Sequence, residues 1–389
     1  MCPIPGRDHP VMIWPKLHAV RITGTVRVGR NSRTSTTVFE VDRGKPFERS
    51  RLVREQLPDP GEGEVLLSVD NFGLSTNNLA YVLLGDVLGH WNAFPAAHGW
   101  GRPPTWGTAR VLAADPAVAS VGQALSGYLP MATHVMLRAE RTASGILSTD
   151  DHRSEMLPIY RRMTRLEPDP YSESTYSDID TVLLPVVPFA AVLSADLLAD
   201  GVGHVLVSSA SSRSGAGLAR LLLNAGIETT GLTSGRHIDA THIMGAYTSV
   251  HHYNEIADLK PQPVPTTFVD IAGSAHISAA VHHAFGNRLA SSIAVGGTHL
   301  RELPDQPSDQ LPGPTVQRFS VGEREQEMAA SLGLEAAVNL ERDARSALVP
   351  WAAKWLHVSN QKGLDTVHDL WRRVATDMVD PLKATIVSP

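Results

Sequence analysis

Apolar positions fall into two textures along this chain. From about Val38 to Leu137 they come as short runs broken by Gly and Pro, the pattern of strands in a β-rich barrel or sandwich. Residues 64–70 read as a strand behind the turn 58–62, and 108–113 and 134–137 as further strands. From about Pro185 strands alternate with helices. Residues 187–199 form an apolar helical run, 204–209 a strand, and Leu218, Leu221, Leu222 and Ala225 recur at helical spacing. Residues 227–232, 266–272 and 291–295 are the next strands, with a helix over 278–285. This alternation predicts an α/β fold, a parallel sheet with helices on both faces.

The flanking segments are less regular. Residues 1–35 lack periodicity and read as a loose N-terminal extension. Residues 139–180 are polar and read as an insertion or linker carrying some helix. The tail predicts helices over 323–332, 342–356 and 364–378, with Pro350 breaking or kinking the second. Leu348, Trp351 and Trp355 share one helical face, which suits a core or domain contact.

Composition narrows the class. The chain has 389 residues, 42% hydrophobic and 19% charged, with a formal net charge of -6. Those values fit a soluble, cytoplasmic globular protein and argue against nucleic acid as a partner. No apolar run reaches the roughly 18–20 residues that span a bilayer, so no membrane role is expected. Cys2 is the only cysteine, which excludes an internal disulfide and a thiolate metal cluster. The adjacent pairs His251-His252 and His282-His283 point apart on a strand or a helix, so no metal site is expected there.

The stretch His204-Val-Leu-Val-Ser-Ser-Ala-Ser-Ser-Arg-Ser-Gly-Ala-Gly-Leu-Ala219 carries the most chemistry. It reads as strand, tight turn and helix, the arrangement that lets backbone N–H groups meet a pyrophosphate. Ser211, Ser212, Arg213, Ser214 and Gly215 form the turn, with Ser212 and Arg213 where a dinucleotide fingerprint has glycines. About 20 residues on, an NAD enzyme carries an Asp or Glu for the ribose hydroxyls. Here Thr233, Ser234 and Arg236 stand instead. Two hydroxyls and a guanidinium suit a 2′-phosphate, hence NADP(H) over NAD. The bland alternative is a solvated loop whose nucleotide site is lost. Arg213 either clamps the pyrophosphate or points to solvent while the serines cradle it.

Two further constellations lie in the β-rich half. One is Asn71-Phe-Gly-Leu-Ser-Thr-Asn-Asn-Leu-Ala-Tyr81. The other places Trp91, Trp100 and Trp106 among Gly and Pro, as a local hydrophobic cluster or as the wall of a flat apolar pocket.

The order of β-rich domain, phosphate turn, Thr233-Ser234-x-Arg236 and Val269-Asp-Ile-Ala-Gly273 resembles the medium-chain dehydrogenase/reductase superfamily, on its zinc-free quinone- and enoyl-reductase side. More narrowly, the chain resembles a family of unknown function allied to that superfamily. Leu74-Ser-Thr-Asn-Asn-Leu-Ala-Tyr81, Trp100-Gly-Arg-Pro-Pro-Thr-Trp-Gly107, Gly127-Tyr-Leu-Pro-Met-Ala132, Ser208-Ser-Ala-Ser-Ser-Arg-Ser214 and Val295-Gly-Gly-Thr-His299 carry the likeness. Members of the narrower family usually have Lys-Thr where this chain has Arg213-Ser214, which keeps a charge and a hydroxyl.

The resemblance implies an N-terminal extension (1–35), a GroES-like catalytic domain with an insertion (36–184), and a Rossmann NADP-binding domain with a doubly wound parallel sheet (185–325). A helical segment (326–389) is then expected to return to the catalytic domain. It also implies a cofactor cleft in which Gly296, Gly297 and Thr298 border the nicotinamide. In the enoyl-reductase branch a tyrosine near the start of the catalytic domain handles the proton, and Tyr81 lies in the matching region. Asn77 would hold substrate or nicotinamide by its amide, with Tyr128 as a second candidate acid and pocket residue. The competing view makes Tyr81 a barrel tyrosine and Asn77-Asn78 a turn.

Three functions follow in order of weight. The first is an NADPH-dependent reductase of an activated C=C bond in an apolar or aromatic small molecule. The second is a non-redox enzyme such as an isomerase, lyase or cyclase on the same fold. The third is a binding protein. Related reductases suggest a homodimer, by analogy only.

Overall fold

The computed structural model describes residues 33–166, 174–295, 311–376 and 380–389. The expected loop residues Gly296, Gly297 and Thr298, and all but the end of the expected N-terminal extension, lie outside the described residues.

The second half of the chain forms a six-stranded sheet, parallel throughout. Its spatial order is Ser249–His252, Glu228–Thr233, His204–Val207, Thr266–Asp270, Leu289–Ala294, Val316–Arg318. Numbered by sequence this is 3-2-1-4-5-6, the doubly wound order whose switch point lies between the first and fourth strands. His204–Val207 and Thr266–Asp270 are buried along their whole length because helices cover both faces. Val186–Ala199 and Arg213–Asn224 pack on one face. Ala275–Phe285 packs on the other through Ile277, Val281 and Phe285. Gly217 permits the close approach of the first two helices, since a Cβ there would come 2.9 Å from Val186.

The first half supplies most of an eight-stranded sheet. Six strands close on themselves: Glu64–Leu74, Pro104–Ala114, Ala124–Pro130, Arg162–Arg165, Gly145–Ser148 and His134–Arg141, the last pairing back onto the first. A three-stranded sheet joins Thr34–Asp42 to Ser50–Leu57 and Trp100–Gly101 beside it.

Two expectations need correction. The polar stretch from residue 139 is less of a linker than expected, since it also contributes barrel strands at Gly145–Ser148 and Arg162–Arg165 with single turns between them. These strands are four residues each, too short for a period-two pattern to stand out. Among the described residues the helix expected in this stretch is Ser174–Leu183, at its end. The tail is also not wholly helical. After Leu334–Ala352, which runs two residues past Pro350, the strands His357–Lys362 and Lys383–Ser388 extend the barrel sheet. Pro350 therefore stands inside the helix, which ends two residues later. The expected helix from residue 364 is a single turn, Leu364–Thr366, followed by Val367–Ala375. Among the described residues no helix is long and apolar enough to cross a membrane.

Candidate functional site

Tyr81 belongs to the helix Thr76–Leu83, started by a capping box. Ser75 Oγ accepts from the Asn77 N–H, and Asn78 Oδ1 accepts from the Ser75 N–H at 2.8 Å. Asn78 Nδ2 donates to the Pro104 carbonyl at 3.0 Å, which pins the helix to the barrel. Asn77 and Tyr81 are four apart and therefore share a face. Asn77 Nδ2 donates to the Tyr81 hydroxyl at 2.7 Å, and Trp106 Nε1 donates to the same oxygen at 2.7 Å. Two N–H donors use the oxygen's acceptor capacity, so its own proton is left for a third group.

Tyr81 is buried in a shell of rings. His90, Tyr128 and Tyr160 have centroids 4.7, 5.2 and 6.3 Å from its own. The Tyr128 hydroxyl lies 3.0 Å from His90 Nδ1. Burial sets the electrostatics. It drives the Tyr81 phenol well above its ordinary range, Tyr160 up to about 12, and the His90 imidazole down to about 4. At neutral pH the shell holds protonated phenols and an uncharged imidazole.

Trp106 and Tyr128 thus reach Tyr81 directly, Trp91 packs in the same buried cluster, and Trp100 lies outside it. The Trp91 indole packs where Cβ atoms on Gly85 and Gly101 would stand, only 2.3 and 2.4 Å away. Trp100 is half-buried on its short strand with the Arg51 guanidinium 3.8 Å over its ring.

The phosphate turn lies at the switch point. Ser208 Oγ donates to Asp270 Oδ1 at 2.6 Å and accepts from the N–H groups of Ile271 and Ala272, tying the ends of the first and fourth strands. Ser209 has φ of 52°, a left-handed conformation normally left to glycine, and its N–H donates to the Tyr253 hydroxyl at 3.0 Å. Ser212 caps Arg213–Asn224 by accepting from the Gly215 N–H at 3.1 Å. A Cβ on Gly215 would come 3.1 Å from Ser209 O and 3.2 Å from Ser212 Oγ, so the turn closes tightly against the helix. Ser214 is half-buried in the first turn of that helix.

Arg213 turns toward the barrel. It shares a narrow cleft with Ser75, Asn77, Trp106 and Thr181, and its Nη1 donates to the Lys383 carbonyl at 3.4 Å. Burial pulls the guanidinium down to about 10, so it stays charged at neutral pH. The cleft therefore has the donors that hold Tyr81 on one side and a cation from the phosphate turn on the other.

At the end of the second parallel strand, Thr233 Oγ1 donates to Ser211 Oγ at 3.1 Å. His237 Nδ1 lies 3.3 Å from Ser211 Oγ and 3.4 Å from Ser234 Oγ. Arg236 is exposed beside them. The sequence pattern gave no role to His90, Ser209, Tyr160 or His237. Ser209 had a readable signal, since it occupies the strand-end position where this turn usually has glycine.

The sequence matches the family described as protein of unknown function (DUF2855) over residues 72–380. No curated protein matches the chain. Among solved structures, it resembles a protein taken to be an NADPH:quinone reductase from Mesorhizobium loti at TM-score 0.62 and 14% identity, covering 92% of this chain and 100% of that one. An enoyl thioester reductase from Candida tropicalis matches at TM-score 0.58 and 11% identity, with 91% and 99% covered. CurA from Vibrio vulnificus, solved with NADPH, matches at TM-score 0.58 and 13% identity, with 88% and 94% covered. The likeness at such identities is one of fold, a GroES-like domain joined to a Rossmann domain. The chain belongs to the DUF2855 family, built on the medium-chain dehydrogenase/reductase fold.

Proposed function

We propose that the chain is an NADPH-dependent, zinc-independent reductase of activated C=C bonds. The observation that carries this reading is the Tyr81 hydroxyl, which receives two N–H donors at 2.7 Å from Asn77 and Trp106, residues that line a cleft together with Arg213. The phosphate turn fits a dinucleotide. A Cβ on Gly231 would meet Ala210 at 2.8 Å, so the second strand lies flush against the turn, and Ser209 keeps its left-handed conformation there. Ser211, Ser212, Ser214 and Gly215 would cradle the pyrophosphate, with Arg213 as its counter-charge. Thr233, Ser234 and Arg236 would face the 2′-phosphate.

When bound, NADPH supplies a hydride to the β-carbon of the substrate. The residues of this chain then manage the proton. Tyr81 Oη gives its proton to the α-carbon or oxygen of the developing enolate. Asn77 Nδ2 and Trp106 Nε1 are already aimed at the phenolate that this leaves, so no reorganisation is needed. The aromatic shell keeps water from the phenol and favours an apolar or aromatic substrate. With Cys2 as the only cysteine, the thiolate ligand sets of zinc dehydrogenases cannot form.

Titration with NADPH, read by tryptophan fluorescence, tests the cofactor, and oxidation of NADPH across a panel of enones, quinones and enoyl thioesters tests the chemistry. Tyr81→Phe is expected to lower turnover by about 10²–10⁴-fold with NADPH affinity unchanged. No binding at millimolar NADPH rejects the reading. Binding without oxidation of any panel member favours the non-redox alternative, which draws on Arg213 standing in the cleft where such turns carry glycine.

A further inference from the structure

We propose that His237 reads the cofactor's 2′-phosphate in its protonated form, so that the preference for NADPH over NADH depends on pH. This rests on the NADPH reading above and adds a residue and a property to it. His237 ends the single turn Gly235–His237 that follows the second parallel strand. Its side chain is half-buried and turns back toward the phosphate turn, with Nδ1 within reach of both Ser211 Oγ and Ser234 Oγ at 3.3 and 3.4 Å. Ser211 comes from the turn and Ser234 from the strand end, the two places that flank the adenosine ribose in this fold. The imidazole therefore joins the two halves of the ribose site. Buried His204 and His282 also bond hydroxyls, but they sit inside the sheet and helix packing, whereas His237 is half-buried at the strand end beside the phosphate turn.

The charged groups around it are mixed. Arg236 precedes it and Asp239 follows in the helix Ile238–Met244. Asp380 and Lys383 approach from the returning segment. The Asp380 carboxyl is held below its ordinary range by the Lys383 ammonium, then by the Leu382 N–H, with the His237 charge adding to both. His252 is the other imidazole nearby, since a Cβ on Gly235 would come 3.1 Å from its ring. That ring is engaged elsewhere, because His252 Nδ1 accepts from the Asn254 N–H at 3.0 Å. Glu255, with His251 against it, accepts from the His252 backbone.

An imidazolium beside a phosphate forms a charge-assisted hydrogen bond, and a neutral imidazole keeps only the weaker neutral one. The bound phosphate therefore raises the imidazole's proton affinity. The added affinity for NADP(H) is fully present below the free imidazole's pKa, ordinarily about 6.5, and is lost as pH rises through the higher value in the complex. The 2′-phosphate takes up its own proton near pH 6, so the informative range lies above that. NAD(H) lacks the group and its affinity stays flat.

The experiment titrates the full-length chain with NADP⁺ and NAD⁺ by tryptophan fluorescence at pH 6.5 to 8.5. Wild type, H237Q and H252Q are compared, with circular dichroism as the folding control. The expected ratio of NAD⁺ to NADP⁺ dissociation constants falls about tenfold across this range in wild type and H252Q. In H237Q it is low and flat. A flat ratio in wild type with NADP⁺ still bound tighter overturns the role of His237 alone. So does a pH dependence that survives H237Q or vanishes in H252Q. Absence of NADP⁺ binding at every pH overturns the cofactor reading and this inference together.

Discussion

The two ends of the proposed site are built on opposite principles. Around Tyr81 the protein removes water: Tyr81, Tyr128 and His90 are 6%, 1% and 2% exposed, and every shift in proton affinity there comes first from burial. Around Ser211, Ser234 and His237 it leaves the side chains open to solvent, with half-buried hydroxyls and an exposed Arg236. Desolvation makes a hydrogen bond strong and a stray charge costly. It suits a group that must hold one proton at neutral pH. A solvated, exchangeable site suits a cofactor that must arrive and leave.

Acid acts on the dry region through His90. His90 is neutral when folded, with its proton affinity lowered to about 4 against an ordinary 6.5. Its contribution to stability is full above pH 6.5 and is lost as pH falls from there toward 4, by about 3 kcal/mol in total. Thermal unfolding followed from pH 7.5 to 4 should show this decline, and His90→Gln should make it shallower, with the part owed to His134 and His204, also lowered by burial, remaining. A stability flat from pH 6.5 to 4 in wild type contradicts the closed shell.

Trp106→Phe keeps the ring and removes one N–H from the Tyr81 oxygen. Turnover should fall about tenfold, the worth of one hydrogen bond to a charged oxygen, while KM for NADPH stays put. An unchanged kcat makes Trp106 mere packing. The smallest effect belongs to the wet region. Arg236→Ala should weaken NADPH about tenfold relative to NADH at low salt, and the difference should shrink at 0.5 M salt. Equal loss for both cofactors removes Arg236 from the 2′-phosphate site.

The wet region was the more legible in sequence. Ser211, Thr233, Ser234 and Arg236 sit at fixed offsets from two strands, and local spacing suffices to read them. The dry region is assembled across distance. Trp106 reaches Tyr81 over 25 positions and Tyr128 reaches His90 over 38, so no local pattern announces either pair. Asn77 and Tyr81 both stand out in the sequence, but what pairs them is the helix Thr76–Leu83, which the sequence pattern does not predict. The strands at Gly145–Ser148 and Lys383–Ser388 were missed because strand pairing, unlike helix periodicity, is settled by partners remote in sequence.

The pairing of Phe72, Gly73 and Leu74 with Val387, Ile386 and Thr385 has a consequence for biosynthesis. The inner strand of the barrel presents an open hydrogen-bonding edge until residues about 310 positions later leave the ribosome. At roughly 5–20 residues per second that interval lasts about 15–60 s. Throughout it the nascent chain carries Phe72 and Leu74 beside an unsatisfied edge, the kind of surface that recruits chaperones or neighbouring copies. Yield in the cell should therefore respond to translation speed and chaperone supply as much as to the stability of the finished protein.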